Sequence, residues 1–189
     1  MGKILAFSGS LSSASVNMKL IYNAEQELQE NGDEVMVIDL KDYPLPVYDP
    51  EVQVSEFPKE ALELFKLMQD HPVWIIASPE HNSSISVCLK NLIDWISRSP
   101  ENKTNMKAFA GRIIGLISAS PSALGGSRGL RHLREILSSM GAIVIPSQTC
   151  IASAYNAFDD KNQLINPSDK KSLTATLQQL VNISQKFNS

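Results

Sequence analysis

Pro72-Val73-Trp74-Ile75-Ile76-Ala77-Ser78, running straight into Pro79-Glu80-His81-Asn82-Ser83-Ser84, is the stretch on which the fold turns. Residues 73–77 are apolar without alternation, the mark of a strand buried on both faces, as in a parallel sheet. The chain becomes polar immediately afterwards. Helical spacing flanks the strand on either side. Ala61, Leu64, Phe65 and Met68 fall at i, i+3, i+4 and i+7 and predict a helix over 56–70. Leu89, Leu92, Ile93 and Ile96 predict another over 86–98.

The same alternation extends outward in both directions. Upstream, 3–8 (KILAFS) reads as a first strand and 16–30 as a helix with Leu20, Ile21, Ala24 and Leu28 on one face, stopped by Gly32. Residues 34–40 (EVMVIDL) read as a second strand. Pro44, Pro46 and Pro50 make 43–55 a loop. Downstream, 112–118 (RIIGLIS) is a strand, 126–140 a helix using Leu130, Leu133, Leu137 and Met140 with Gly141 as its stop, and 142–146 (AIVIP) a fifth strand. A long loop over 147–166 follows, and Ser168 is placed as N-cap of a last helix carrying Leu173, Leu177, Leu180 and Val181.

Five strands alternating with five helices imply an α/β chain with a parallel sheet covered on both faces. The two orders open to it are the flavodoxin-like 2-1-3-4-5 and the dinucleotide fold; no sixth strand is present, which favours the first. The expected architecture is therefore a flavodoxin-like three-layer sandwich, with residues 1–189 as a single domain. Ligands of such sheets lie beyond the carboxyl ends of the strands at the switch point. Function is accordingly expected in the loops 9–15, 79–85 and 119–125.

Composition narrows the classes of function. The chain is 43% hydrophobic and 20% charged with a net charge of −3, which gives no general attraction to nucleic acid or to an anionic membrane. Cys88 and Cys150 are too few for a disulfide framework or a four-cysteine zinc site, and read as small buried hydrophobes in a reducing, cytoplasmic setting. No run of about 18 apolar residues offers a membrane span. The apolar start is too short for a secretory signal. Gly2 lacks the Ser or Thr that myristoylation wants where Ala6 stands. The sequons at Asn82, Asn102 and Asn182 carry no weight in a cytoplasmic chain. His71 and His132 have no partner at metal-ligand spacing, so no metal site is expected.

The first of the three loops, Gly9-Ser10-Leu11-Ser12-Ser13-Ala14-Ser15 leading to Asn17, places hydroxyls and free backbone N–H groups at a helix N-terminus, where the helix dipole favours a phosphate. A plain Ser/Gly turn with Ser15 as N-cap accounts for the same residues. It is neither a Walker loop nor Gly-x-Gly-x-x-Gly. The second, Pro79 to Ser84, sets polar groups where they can meet the edge of a heteroaromatic ring. His81 there is a ring-flanking residue rather than a general base, since no orienting carboxylate is evident. Glu80 reads as a loop cap or ion-pair partner. The third, Ser118-Ala119-Ser120-Pro121-Ser122-Ala123-Leu124-Gly125-Gly126, has paired glycines for a tight turn or a close backbone approach. Arg128, Arg131 and Arg134 behind it read as a solvated helix face.

These blocks together resemble the NADPH-dependent FMN reductase family, flavodoxin-like flavoproteins that include quinone, chromate and azo-dye reductases. The match runs through Gly9-Ser10-Leu11, Ser15, Asn17 and Leu20; through Pro79 to Ser84, Leu89-Lys90-Asn91, Ile93-Asp94-Trp95 and Ser97-Arg98; and through Ser120-Pro121, Gly125-Gly126, Arg128 and Leu133-Arg134. The resemblance implies FMN and NADPH or NADH as cofactors. It implies hydride passage through flavin N5 to a quinone, flavin or similar small acceptor, with the cofactor doing the chemistry and no catalytic side chain required. It implies FMN phosphate at Ser10, Ser15 and Asn17, the flavin ring along Pro79, Glu80, Asn82 and Ser83, and Ser118, Ser120 and Gly125 closing the other side; Ser12 and His81, in the same two loops, are expected to be cofactor-binding as well. It also implies a homodimer or homotetramer.

Three positions depart from the family pattern. Ser12 stands where the family has Arg, His81 where it has Tyr, and Ser86-Val87 where it has Pro-Gly. They motivate an alternative expectation, a non-enzymatic flavodoxin-like module with weak or no FMN binding. A response-regulator receiver is excluded by Ser8-Gly9-Ser10 and Ser78-Pro79-Glu80, where acidic residues would be needed.

Overall fold

Residues 3–100 and 103–187 are described in a computed structural model of the chain. Gly2 and the sequon at Asn102 lie outside the described residues. The strands β1 (Ile4–Ser8), β2 (Val35–Ile38), β3 (Val73–Ala77), β6 (Ile113–Ala119) and β7 (Ile143–Ile151) form one sheet in the order β2-β1-β3-β6-β7. All four pairings are parallel, with Ser8 beside Ala77 and Ala77 beside Ile117 in the centre. This is the expected 2-1-3-4-5 order.

Strand periodicity sorts the central side chains into two cores. Leu5, Phe7, Trp74, Ile76, Ile114 and Leu116 pack with residues of α3 (Lys59–Asp70), α4 (Val87–Ile96) and α5 (Ser127–Ser139). Ile4, Ala6, Ile75, Ala77, Ile117 and Ala119 pack with α1 (Val16–Glu30) and α6 (Pro167–Phe187). The switch point lies between β1 and β3, where chain order reverses, and the loops after β1, β3 and β6 gather there.

Several boundaries differ from the sequence reading, each for a local reason. The supposed loop 43–55 ends in a short helix, α2 (Pro50–Ser55), whose N-cap Asp49 accepts from Glu51 N at 2.7 Å. Asp-Pro is itself a helix-start signal. Within 79–85 a small hairpin forms: β4 (Glu80–His81) pairs antiparallel with β5 (Ser84–Ile85). Its turn residues Asn82 and Ser83 both have positive φ, 49° and 66°, as a two-residue hairpin loop requires. The last helix begins at Pro167, and Asn166, whose Oδ1 accepts from Ser168 N at 2.8 Å, takes the capping place assigned to Ser168.

The largest difference is β7, which continues past Pro146 to Ile151. Pro146 has no N–H for a ladder, yet β7 is an edge strand and bulges there: Ile114 pairs with Val144 but Leu116 with Gln148. The Arg134 guanidinium accounts for the carbonyls this exposes, donating to Val144 O at 3.2 Å and Ile145 O at 2.8 Å. Arg134 is thus a structural donor rather than part of a solvated face. Burial holds its ionisation below the usual arginine range. The cysteines are half-buried rather than sealed in the core, and burial pushes both thiols up.

Candidate functional site

The loop after β1 has a defined hydrogen-bond order. Ser10 Oγ accepts from Ser12 N and Ser12 Oγ from Ala14 N, both at 3.3 Å. Ser15 caps α1 and accepts from Met18 N at 3.1 Å. A serine hydroxyl has one proton to give and two lone pairs to accept with, so each of the three keeps a donor for a further partner. In the first turn of α1 the N–H groups of Val16 and Asn17 find no acceptor among the described residues. These are the orphan donors that every helix start presents.

Gly9 anchors the loop from behind. A Cβ there would stand 3.0 Å from Leu89 Cβ, a tight contact, so glycine lets the chain lie this close to α4 without displacing it. Its carbonyl accepts from Ser86 Oγ, which also caps α4 by accepting from Leu89 N at 3.2 Å. Ser86 therefore supplies a helix start without the Pro of the family pattern, and adds a tie to the first loop. Val87 stands in solvent and crowds nothing.

Glu80 is the pivot of the second loop. Its carboxylate is 4% exposed and accepts from Arg128 Nε at 2.8 Å, Arg128 N at 3.0 Å and Gly129 N at 3.1 Å, with Arg128 Nη2 closing the ion pair. Glu80 thereby caps α5 from 48 residues away, at the end where the dipole favours a negative charge. The preceding Gly126 has no side chain to do so and is left-handed at φ 89°. Burial pushes the carboxyl up, but the Arg128 guanidinium, the two backbone N–H groups and the Arg128 charge outweigh it and hold the group below its usual range.

A depressed carboxylate stabilises the fold above its ordinary pKa, about 4.3, and loses that contribution as the pH falls through the folded value. Glu80→Gln removes the charge and leaves Arg128 unpaired, for an expected loss of about 2–3 kcal/mol at pH 7. Urea unfolding at pH 7 and at pH 3.5 checks this. The gap between the two proteins should shrink at the lower pH, and an equal gap at both refutes the assignment.

The three loops enclose one cleft of about 300 Å³. Ser10, Ser12, Ser15 and Asn17 line it from one side, Pro79, Glu80 and His81 from another, and Ser120 from the floor. Asn82 and Ser83 sit at the hairpin turn outside its walls. Ser118 lies beneath the cleft, fully buried, its hydroxyl donating to Ser78 O at 2.7 Å. Gly125 is also buried, and a Cβ there would meet the Cys150 and Ile151 backbone at 2.8 and 2.9 Å. The Asn17 amide is spent on the Ala119 backbone, so this residue offers the cleft its N–H rather than its side chain. Tyr155, which in sequence falls within the expected loop 147–166, lines the cleft too. Among the described residues no lysine or arginine lines it.

A second cavity, of about 320 Å³, lies beyond Leu11 and is walled by Leu40, Tyr43, Leu45, Leu64 and Leu92. Its Asn91 amide is already taken by Tyr48 N and Pro46 O. The helix-end donors belong to the first cleft.

The chain resembles known proteins over most of its length. It is 34% identical over 176 residues to a probable NADPH:quinone oxidoreductase 2 of Oryza sativa, covering 90% of this chain and 83% of that protein. It is 31% identical over 179 residues to an NAD(P)H-dependent FMN reductase of Pseudomonas aeruginosa, covering 94% and 92%. Among solved structures, FerB, a flavoenzyme NAD(P)H:(acceptor) oxidoreductase from Paracoccus denitrificans, superposes with a TM-score of 0.78 over 96% of this chain and 98% of its own, at 19% identity, a likeness of fold. The NADPH-dependent FMN reductase profile matches residues 2–157, so the chain belongs to that family.

Proposed function

We propose that this chain is an FMN-dependent NAD(P)H oxidoreductase acting on a quinone, a flavin or a similar small acceptor. The observation that supports it most directly is the set of unspent donors at the start of α1, which open into the cleft at the switch point. A phosphate monoester has the oxygens to accept from the Val16 and Asn17 N–H groups and from the Ser10, Ser12 and Ser15 hydroxyls, so the donor set fits the FMN phosphate. Ser12 gives that phosphate a neutral contact where the family pattern has an arginine.

Bound FMN supplies the hydride chemistry, and the chain binds and orients it. Pro79, Glu80 and His81, with Asn82 and Ser83 at the hairpin turn, form the ring-side wall of the reading, and Ser120 the floor. Glu80 positions that wall through α5, and Ser118 and Gly125 support the floor from below. The reading takes residues 1–189 as one domain working in the cytoplasm as a homodimer or homotetramer, with no nucleic-acid partner. No helix among the described residues is long and apolar enough to cross a membrane.

The test is the visible spectrum of protein reconstituted with FMN and passed through gel filtration. Flavin bands that bleach on anaerobic addition of NADPH or NADH support the reading. A protein that neither retains FMN nor turns over NAD(P)H with it overturns the reading and favours a module without enzymatic activity. Ser12→Arg, which adds a charge-assisted contact, should tighten FMN about tenfold in the same preparation.

A further inference from the structure

Tyr155 is 78% exposed, and the residues on either side of it are held by backbone hydrogen bonds. Ser153 enters the turn in the left-handed region, at φ 47°. Ala154, 1% exposed, donates its N–H to Ser120 O at 3.1 Å, and Asn156 N returns to Ser153 O at 2.9 Å. Further along, the segment is fastened to α1. Leu164 N donates to Asn23 Oδ1 at 3.0 Å, Asn23 Nδ2 donates to Asn162 O at 2.8 Å, and Lys19 lies 6.0 Å over the Phe158 ring. A large aromatic ring is thus presented to the cleft between held neighbours, and its hydroxyl has no partner among the described residues.

The fastenings also say which end of the cleft the ring faces. The hairpin that carries His81 is tied to α5, on one face of the sheet, whereas the Tyr155 turn is tied to α1, on the other. Asn17, at the start of α1, is joined to Ala119, and Ala154 to the next residue, Ser120. The turn that bears Tyr155 and the start of α1 are thus joined to adjacent residues at the end of β6, which puts Tyr155 on the α1 side of the cleft.

From this placement we infer that Tyr155 closes the phosphate end of the cleft and selects a mononucleotide flavin over a dinucleotide one. The inference rests on the FMN reading above. In FAD the phosphate is not terminal: a second phosphate and an adenosine continue from it, and a ring on the α1 side of the cleft would stand against them. Selection of this kind works by steric exclusion, so it depends on the bulk of the ring and not on the hydroxyl.

Fluorescence titration of FMN, FAD and riboflavin against the parent chain, Tyr155→Ala and Tyr155→Phe tests the inference. The parent should bind FMN well above both other flavins. Tyr155→Ala should bind FAD more tightly than the parent does and shrink the FMN-to-FAD preference at least tenfold, while FMN itself changes by less than about threefold. Tyr155→Phe should keep the parent preference. A preference unchanged in Tyr155→Ala overturns the inference, and so does a loss of FAD greater than that of FMN, which would mean that the ring stacks on adenine. Equal affinity of the parent for FMN and riboflavin, or no binding of either, overturns the phosphate placement itself and the inference with it. An exposed position should leave the melting temperature of both variants close to the parent's.

Discussion

Gly126→Ala is expected to cost about 4 kcal/mol and to abolish FMN retention. Two penalties add. A Cβ at 126 would sit 1.9 Å from Ser118 Oγ and 2.8 Å from Ser118 Cβ, and the residue holds φ 89°, where an L side chain is strained. Left-handed strain costs about 1–3 kcal/mol and an overpacked contact about 1–3 kcal/mol. Ser118 cannot swing aside without giving up its bond to the Ser78 carbonyl in a fully buried layer. Both Gly126 and Ser118 underlie the floor of the cleft, so the damage reaches the site. The urea midpoint and flavin retained on gel filtration measure the two effects together. Recovery of about half the stability in Gly126→Ala/Ser118→Gly would separate the contact from the strain, and a single variant within 1 kcal/mol of the parent would contradict the geometry.

Asn17→Ala ranks next. The Asn17 side chain, 2% exposed, donates to Ala119 O and accepts from Ala119 N, each at 2.9 Å. That pair of bonds fixes the first turn of α1 to the carboxyl end of β6. Alanine leaves a buried carbonyl and a buried N–H without partners, for a loss of about 3 kcal/mol. The helix start that presents Val16 and Asn17 N–H to the cleft loosens with it, and FMN affinity should fall more than tenfold. Thermal melting alongside FMN titration checks both. A variant that melts with the parent while losing FMN would make the Asn17 amide a direct ligand and not a tie.

The parts of this molecule that could be read in its sequence are those governed by near neighbours. α1 was expected over the residues it occupies, because Ser15 caps it and Gly32, at φ 87°, follows its end. The sheet order followed from the apolar run at 73–77 and the missing sixth strand. What escaped the sequence depends on partners far along the chain. Pro146 reads as the end of a strand, and only an edge position with Arg134 feeding the bulged carbonyls lets β7 continue to Ile151. Glu80 reads as a loop cap or ion-pair partner, as it proves to be, but that its partners are Arg128 and Gly129 of α5 shows only in the fold. Tyr155 carries no local signal at all: its place at the cleft depends on the Ala154 bond to Ser120 and on the fastening of its loop to α1. Ser86 escaped in a different way, since a residue that departs from the family pattern proves to do the same work by a different bond.

A cleft that no lysine or arginine lines among the described residues, on a chain of net charge −3, also sets how a phosphorylated ligand arrives and departs. Fixed dipoles and hydroxyls act only at contact, so a doubly charged visitor feels no long-range pull on approach. Its encounter rate should lack the steep decline with added salt that marks electrostatic steering. Residence then depends on how quickly short-range bonds break, which places control of flavin exchange in the off-rate.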